Sequence, residues 1–234
     1  MRTVSGFGRQ VGRGLSRIRP RRSRAVALVA SESSTVERRP LLSDRLGEQR
    51  HAGAVLDQVD GTTCGSAVLL ALAAWADPAE LTRLEAPGAG QSLLGAGFGA
   101  RYDARQKQVH GETNRFWPQS LGTTPWGAVR WLRDHAPATG RHRVRLVDDT
   151  SAADVEQVID DVDAALTRGR PVPLLVGSFV PRHYVLALRR DGGGWRVYEP
   201  TSGEVRLLDL AVVRERRLAP VLGFDRLHAV LLPS

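Results

Sequence analysis

The sequence predicts an α+β fold in which the helices come first and an antiparallel β-sheet follows. Two observations carry this prediction. An apolar helical segment begins at Cys64, and the last third of the chain divides into short strand-like segments separated by Gly, Pro and Asp. Helices grouped before strands, without βαβ alternation, indicate an α+β architecture.

The first helix is expected over Cys64–Ala76, with Thr62 or Thr63 as the capping residue. Nearly every residue in it is apolar or small, and a helix that is apolar on all faces belongs inside a protein. Asp77 and Pro78 end the helix, because the residue before a proline avoids helical geometry.

The glycine-rich segment 86–123 is expected to be irregular, as loops or short helices that line a cleft. Its "GAGFGA" stretch lacks the spacing and the preceding strand of a dinucleotide-binding motif. Further helices are expected from Thr124-Pro125 and over 150–169, where the adjacent carboxylates Asp160, Asp161 and Asp163 indicate a solvated face. Strands are expected at 142–147, 170–178, 182–191, 194–200, 203–210 and 226–234, with a hairpin turn at 191–194.

The net charge of +8 comes from the N-terminal part of the 234-residue chain. Residues 1–50 hold 12 Arg and 4 acidic residues, whereas the rest holds 21 basic and 21 acidic residues. We therefore expect a basic, disordered N-terminal arm over 1–50 and a folded domain over 51–234 that does not bind nucleic acid. The arm can contact an acidic surface or a membrane by charge. The expected location is cytoplasmic, with a cleaved export signal as the alternative.

The only cysteine, Cys64, is placed at the start of the predicted helix. The N–H groups of a helix's first turn favour a thiolate, which is the nucleophilic form. A buried cysteine that only fills space explains the residue equally well at this point. A single cysteine cannot form an intramolecular disulfide.

A cysteine nucleophile needs a base and a group that orients the base. Of the six histidines, His183 begins a strand, where its side chain can reach a cleft. If Glu199 pairs opposite Val185 across the hairpin, it lies on the face of His183 and can hold one ring nitrogen, leaving the other for the thiol. Gln58, six residues before the cysteine, can donate to an oxyanion.

These residues resemble the motifs of papain-like cysteine peptidases, and most closely those of the bacteriocin-processing (double-glycine leader) peptidases and their stand-alone relatives. The matching elements are "QVDGTTCG", "HYV" and "EPTSG", in that order, within a stretch from Leu56 to Pro233. Glu199 stands where the family has Asp. The resemblance implies a papain-like fold in which a central helix carrying Cys64 packs against an antiparallel sheet.

The expected function is that of a cysteine peptidase that cleaves peptide or amide bonds of a peptide or protein substrate. Cys64, His183, Glu199 and Gln58 are the expected catalytic residues, and no cofactor or metal is expected. Two alternatives stay open: a peptidase-like domain without catalysis that binds peptides or an assembly partner, and an acyl-transfer enzyme of the transglutaminase type.

Overall fold

An antiparallel sheet of seven strands, with helices on both faces, forms the centre of the protein in this computed structural model. The structure describes residues 41–86, 97–114 and 122–234. The strands are β1 (Gly47–Glu48), β2 (Arg50–His51), β3 (Ala54–Val55), β4 (His142–Leu146), β5 (Val172–Gly177), β6 (Pro181–Asp191), β7 (Gly194–Glu199), β8 (Glu204–Asp209) and β9 (Arg226–Pro233). The helices are α1 (Cys64–Ala76), α2 (Pro78–Glu85), α3 (Phe98–Thr113), α4 (Pro125–His135), α5 (Ala152–Thr167), α6 (Leu210–Arg214) and α7 (Ala219–Leu222).

The large sheet has the strand order β1-β8-β7-β6-β5-β9-β4, and every neighbouring pair is antiparallel. Strands β2 and β3 form a separate hairpin. The predicted α+β class with an antiparallel sheet is therefore confirmed. The five strands expected in the last third of the chain are β5 to β9.

The central strand β6 divides the hydrophobic core between two layers, because successive side chains of a strand point to opposite faces. Tyr184, Leu186 and Leu188 pack with α1 and its neighbouring helices, whereas Val185 and Ala187 pack with the layer that contains α5. Burial of both faces explains why this strand is apolar without alternation.

Helix α1 spans the predicted residues and lies in the first of these layers. Its residues from Cys64 to Ala74 are all buried, as expected for a helix that is apolar on every face. Among the described residues no single helix has the length and hydropathy to cross a bilayer. Helices α1 and α2 reach those limits only as a pair, and they are bent by 117°.

Two segments differ from the sequence-based expectations. Leu41 and Leu42 are buried in the core and β1 pairs with β8, so residues 41–50 belong to the fold and not to the arm. Burial of these two leucine side chains favours the ordered position of the segment, although the residues around them are polar. The rest of the predicted arm, residues 1–40, and its contact with an acidic surface lie outside the described residues.

The segment expected to be irregular contains the 16-residue helix α3. Its buried residues recur at helical spacing, but Gln106, His110 and Thr113 are among them. Polar residues at core positions hid the apolar periodicity on which the prediction relied. Residues 87–96 and 115–121 of the same segment lie outside the described residues.

Candidate active site

Cys64 is the first residue of α1, and its side chain is buried at the end of the helix that faces a cleft. Thr63 occupies the capping position, but its side chain does not bond to the N–H groups of the first turn. Its hydroxyl instead exchanges hydrogen bonds with the backbone of Asp60, at 3.0 and 3.1 Å. The first-turn N–H groups of α1 therefore retain their positive potential beside the sulfur.

Gly65 allows two other segments to approach the start of α1. A Cβ at this position would lie 2.9 Å from the Cβ of Thr123 and 3.3 Å from the ring of Tyr184. Thr123 is in turn hydrogen-bonded through its hydroxyl to Thr113 of α3, at 3.1 Å. The glycine after the cysteine is thus required by packing, and it fixes the position of β6 relative to α1.

His183, near the start of β6, connects the cysteine to a carboxylate. Its Nε2 lies 2.7 Å from Oε1 of Glu199, and both side chains are about 95% buried. Because Nε2 is occupied, Nδ1 is the ring nitrogen left for the thiol. Burial lowers the pKa of His183, but hydrogen bonds with Cys64 and Glu199 and the charges of both groups outweigh it and raise the pKa to about 9.

Glu199 is held by the turn that follows β7. Its Oε1 also accepts from the backbone N–H of Thr201 at 2.9 Å, and its Oε2 accepts from the N–H and the hydroxyl of Ser202 at 3.0 Å each. Burial raises the pKa of Glu199, but the hydrogen bonds from His183 and Thr201 lower it to about 2. The carboxylate is therefore ionised and held in one orientation.

The strand register places Glu199 on the face of His183. Leu186 pairs with Tyr198, which is the register on which the prediction depended. At the turn, however, Asp191 pairs with Gly194, and the register shifts by one residue between Ala187 and Arg189. This β-bulge has its extra residue in β6. If the pairing at the turn continued without it, Glu199 would lie on the opposite face of the sheet from His183.

Gln58 lines the same cleft, in the loop before α1. Its backbone N–H donates to the carbonyl of Pro200 at 2.7 Å, and its Nε2 donates to the carbonyl of Asp60 at 2.8 Å. One N–H of the amide is left for a ligand in the cleft. Gln106 of α3 fixes the loop, because its amide bonds to the carbonyl of Asp57 and to the N–H of Val59 on either side of Gln58.

The four residues selected from the sequence thus border one cleft of about 930 Å³. The other five histidines do not line it. Sequence reasoning missed Ser202, Arg206 and Phe224, whose ring lies 5.7 Å from that of His183. The turn residues of "EPTSG" were a usable signal for Ser202, whereas nothing local marks Arg206 or Phe224.

Within the described residues no group of three or more His, Cys, Asp and Glu side chains is arranged to hold a metal ion. Comparison of the chain with models of protein families and with curated proteins finds no match. The geometry of the cleft is therefore the basis for any functional conclusion. A nucleophile at a helix N-terminus, a buried base and an ionised orienting group are together suited to acyl chemistry.

Proposed function

We propose that the protein is a cysteine-dependent peptidase that hydrolyses peptide or amide bonds. The observation that carries this proposal is the contact of His183 with Glu199 at 2.7 Å, at the edge of the cleft that also contains Cys64. A histidine whose pKa is raised to about 9 is protonated at neutral pH and stabilises a neighbouring thiolate. A cysteine that only filled space in the core would not require a buried ion pair beside it.

In the first half of the reaction, the Cys64 thiolate attacks the carbonyl carbon, and the π electrons of the carbonyl move to its oxygen. The backbone N–H of Cys64 and the free N–H of Gln58 donate to this oxyanion. His183 gives its Nδ1 proton to the leaving nitrogen as the C–N bond breaks. The amine departs, and the acyl group is left as a thioester on Cys64.

In the second half, neutral His183 accepts a proton from water as the water oxygen attacks the thioester. The new tetrahedral intermediate collapses, its C–S bond breaks, and the sulfur leaves as a thiolate beside the regenerated imidazolium. Glu199 does not exchange protons, since its low pKa keeps it ionised throughout. Its role is to orient the ring and to stabilise the imidazolium.

The fold supports a papain-like architecture within this proposal. Helix α1 is buried in the layer that packs against β6, so the nucleophile and the base come from two different elements that meet at one end of the sheet. The order Gln58, Cys64, His183 and Glu199 along the chain is that of the family the sequence resembles.

The test has two parts. Alkylation of Cys64 by iodoacetamide at pH 6 should be at least about tenfold faster than that of a free cysteine peptide, because thiolate is the reactive species. Incubation of a random peptide library with the full chain should then give cleavage products, read by mass spectrometry, that a Cys64→Ser variant does not give.

Three outcomes have different meanings. Slow alkylation together with no cleavage overturns the proposal and favours a peptide-binding domain without catalysis. Fast alkylation with products joined to an added amine, and without free acids, identifies acyl transfer. Cleavage that persists in Cys64→Ser assigns the activity to another group and also overturns the proposal.

A further inference from the structure

Among the described residues that line the cleft with Cys64, the charged side chains are Arg182, His183, Glu199 and Arg206. Glu199 bonds to His183 at 2.7 Å and lies 4.0 Å from the guanidinium of Arg206. Arg206 is held by Glu204 and by the hydroxyl of Ser202, each at 3.0 Å, so its guanidinium is already bonded within the wall of the cleft. Among these described residues, Arg182 is therefore the cation that is left for a ligand.

Arg182 is exposed, and within the described part of the chain no carboxylate lies within ion-pair distance of its guanidinium. It lies one residue before the base, at a β-bulge of β6, because Val176 pairs with His183 and Gly177 pairs with Pro181. A bulge takes a side chain out of the regular alternation of its strand, and Arg182 lines the cleft that Cys64 also lines.

The wall next to Arg182 is apolar. Val180 and Pro181 precede it in the chain, and Leu222 and Phe224 line the same cleft. An apolar wall beside an unpaired cation is complementary to an apolar side chain that stands next to a carboxylate. A guanidinium binds a carboxylate through two parallel hydrogen bonds, which gives both affinity and orientation.

We propose that the substrates of this site are acidic peptides, in which a carboxylate near the scissile bond binds Arg182 and a neighbouring apolar side chain packs against Val180, Pro181 and Phe224. This inference rests on the proposed peptidase function and specifies its substrate class.

The first experiment compares two thiol reagents of the same size, anionic iodoacetate and neutral iodoacetamide, on the full chain at pH 7 and low ionic strength. Changes in the nucleophilicity of the thiol affect both reagents and therefore cancel in the ratio of their alkylation rates at Cys64. Loss of the Arg182 cation from the cleft should lower the iodoacetate-to-iodoacetamide ratio about threefold in Arg182→Ala and about tenfold in Arg182→Glu. Added salt at about 0.5 M should reduce both differences.

The matched control is Arg143→Ala, which removes an exposed arginine from β4, the edge strand that lies three strands away from β6. It should leave the ratio unchanged. Thermal melts verify that each variant is folded. An unchanged ratio in Arg182→Ala, or an equal loss in Arg143→Ala, overturns the assignment of Arg182.

The second experiment reads the residues around each cut in the peptide-library digest. Asp and Glu should be enriched beside an apolar residue near the cut in the wild-type digest, and Arg182→Glu should replace them by Lys and Arg. Cleavage without acidic enrichment overturns the substrate class and leaves the peptidase proposal standing. Absence of Cys64-dependent cleavage overturns the peptidase proposal and, with it, the substrate class.

Discussion

Replacement of Glu199 by glutamine should destabilise the protein in a way that depends on pH. The pKa of this carboxyl is about 2 in the folded protein, against an ordinary value of 4.5. At about 1.4 kcal/mol per pH unit, the ionised carboxylate contributes about 3 kcal/mol to the free energy of unfolding. Because the folded-state pKa is depressed, this contribution is present above pH 4.5 and is lost as the pH falls toward 2.

His183 sets the alkaline side of the same window. Its pKa is raised from 6.5 to about 9, so its contribution is complete below pH 6.5 and is lost as the pH rises through 9. The two shifts share the contact of His183 with Glu199, and the shift of His183 also includes its contact with Cys64, so their energies are not added. The difference in stability between wild type and Glu199→Gln should therefore be largest between pH 4.5 and 6.5 and should decrease on both sides.

The assay is urea-induced unfolding at a series of pH values, followed by the fluorescence of the buried Trp131 and Trp195. The control is Glu156→Gln, the same substitution at a half-exposed carboxylate that pairs with Arg214 at 2.6 Å. This variant should lose at most about 1 kcal/mol. A difference for Glu199→Gln that does not change with pH would contradict this expectation, since the loss of stability would then come from packing and not from charge.

Three further outcomes are expected. His183→Ala should slow the alkylation of Cys64 by iodoacetamide at pH 6 by at least about tenfold, and the difference should narrow at higher pH as the unassisted thiol ionises; equal rates at pH 6 would contradict the ion pair. Gly65→Ala should cost about 1–3 kcal/mol of stability through overpacking, whereas Gly111→Ala, in open space within α3, should stabilise by about 0.5–1 kcal/mol; thermal melts compare the two. Gln58→Ala should lower the turnover of a cleaved peptide by about 10²–10³ while thiol alkylation stays near the wild-type rate, and a parallel loss of both would remove it from the oxyanion site.

Local sequence was sufficient wherever the structure depends on neighbours in the chain. Helix α1 could be delimited because its apolar run begins after a turn and ends at Asp77-Pro78, and α4 because Thr124 caps it before Pro125. The same reasoning failed for α3, where buried Gln106 bonds to the backbone of a distant loop. A polar residue in the core is satisfied only by tertiary partners, which a local pattern does not contain.

The candidate site divides in the same way. Residue type and position along the chain selected Cys64, His183, Glu199 and Gln58, because a thiol, a base, a carboxylate and an amide have definite chemical uses. Folding decided whether they meet. If the strand pairing at the hairpin turn continued without the bulge after Ala187, Glu199 would face away from His183. Such a one-residue shift depends on how whole strands pack against both layers of the core. The ion pair of His183 and Glu199 beside Cys64 therefore depends on tertiary packing.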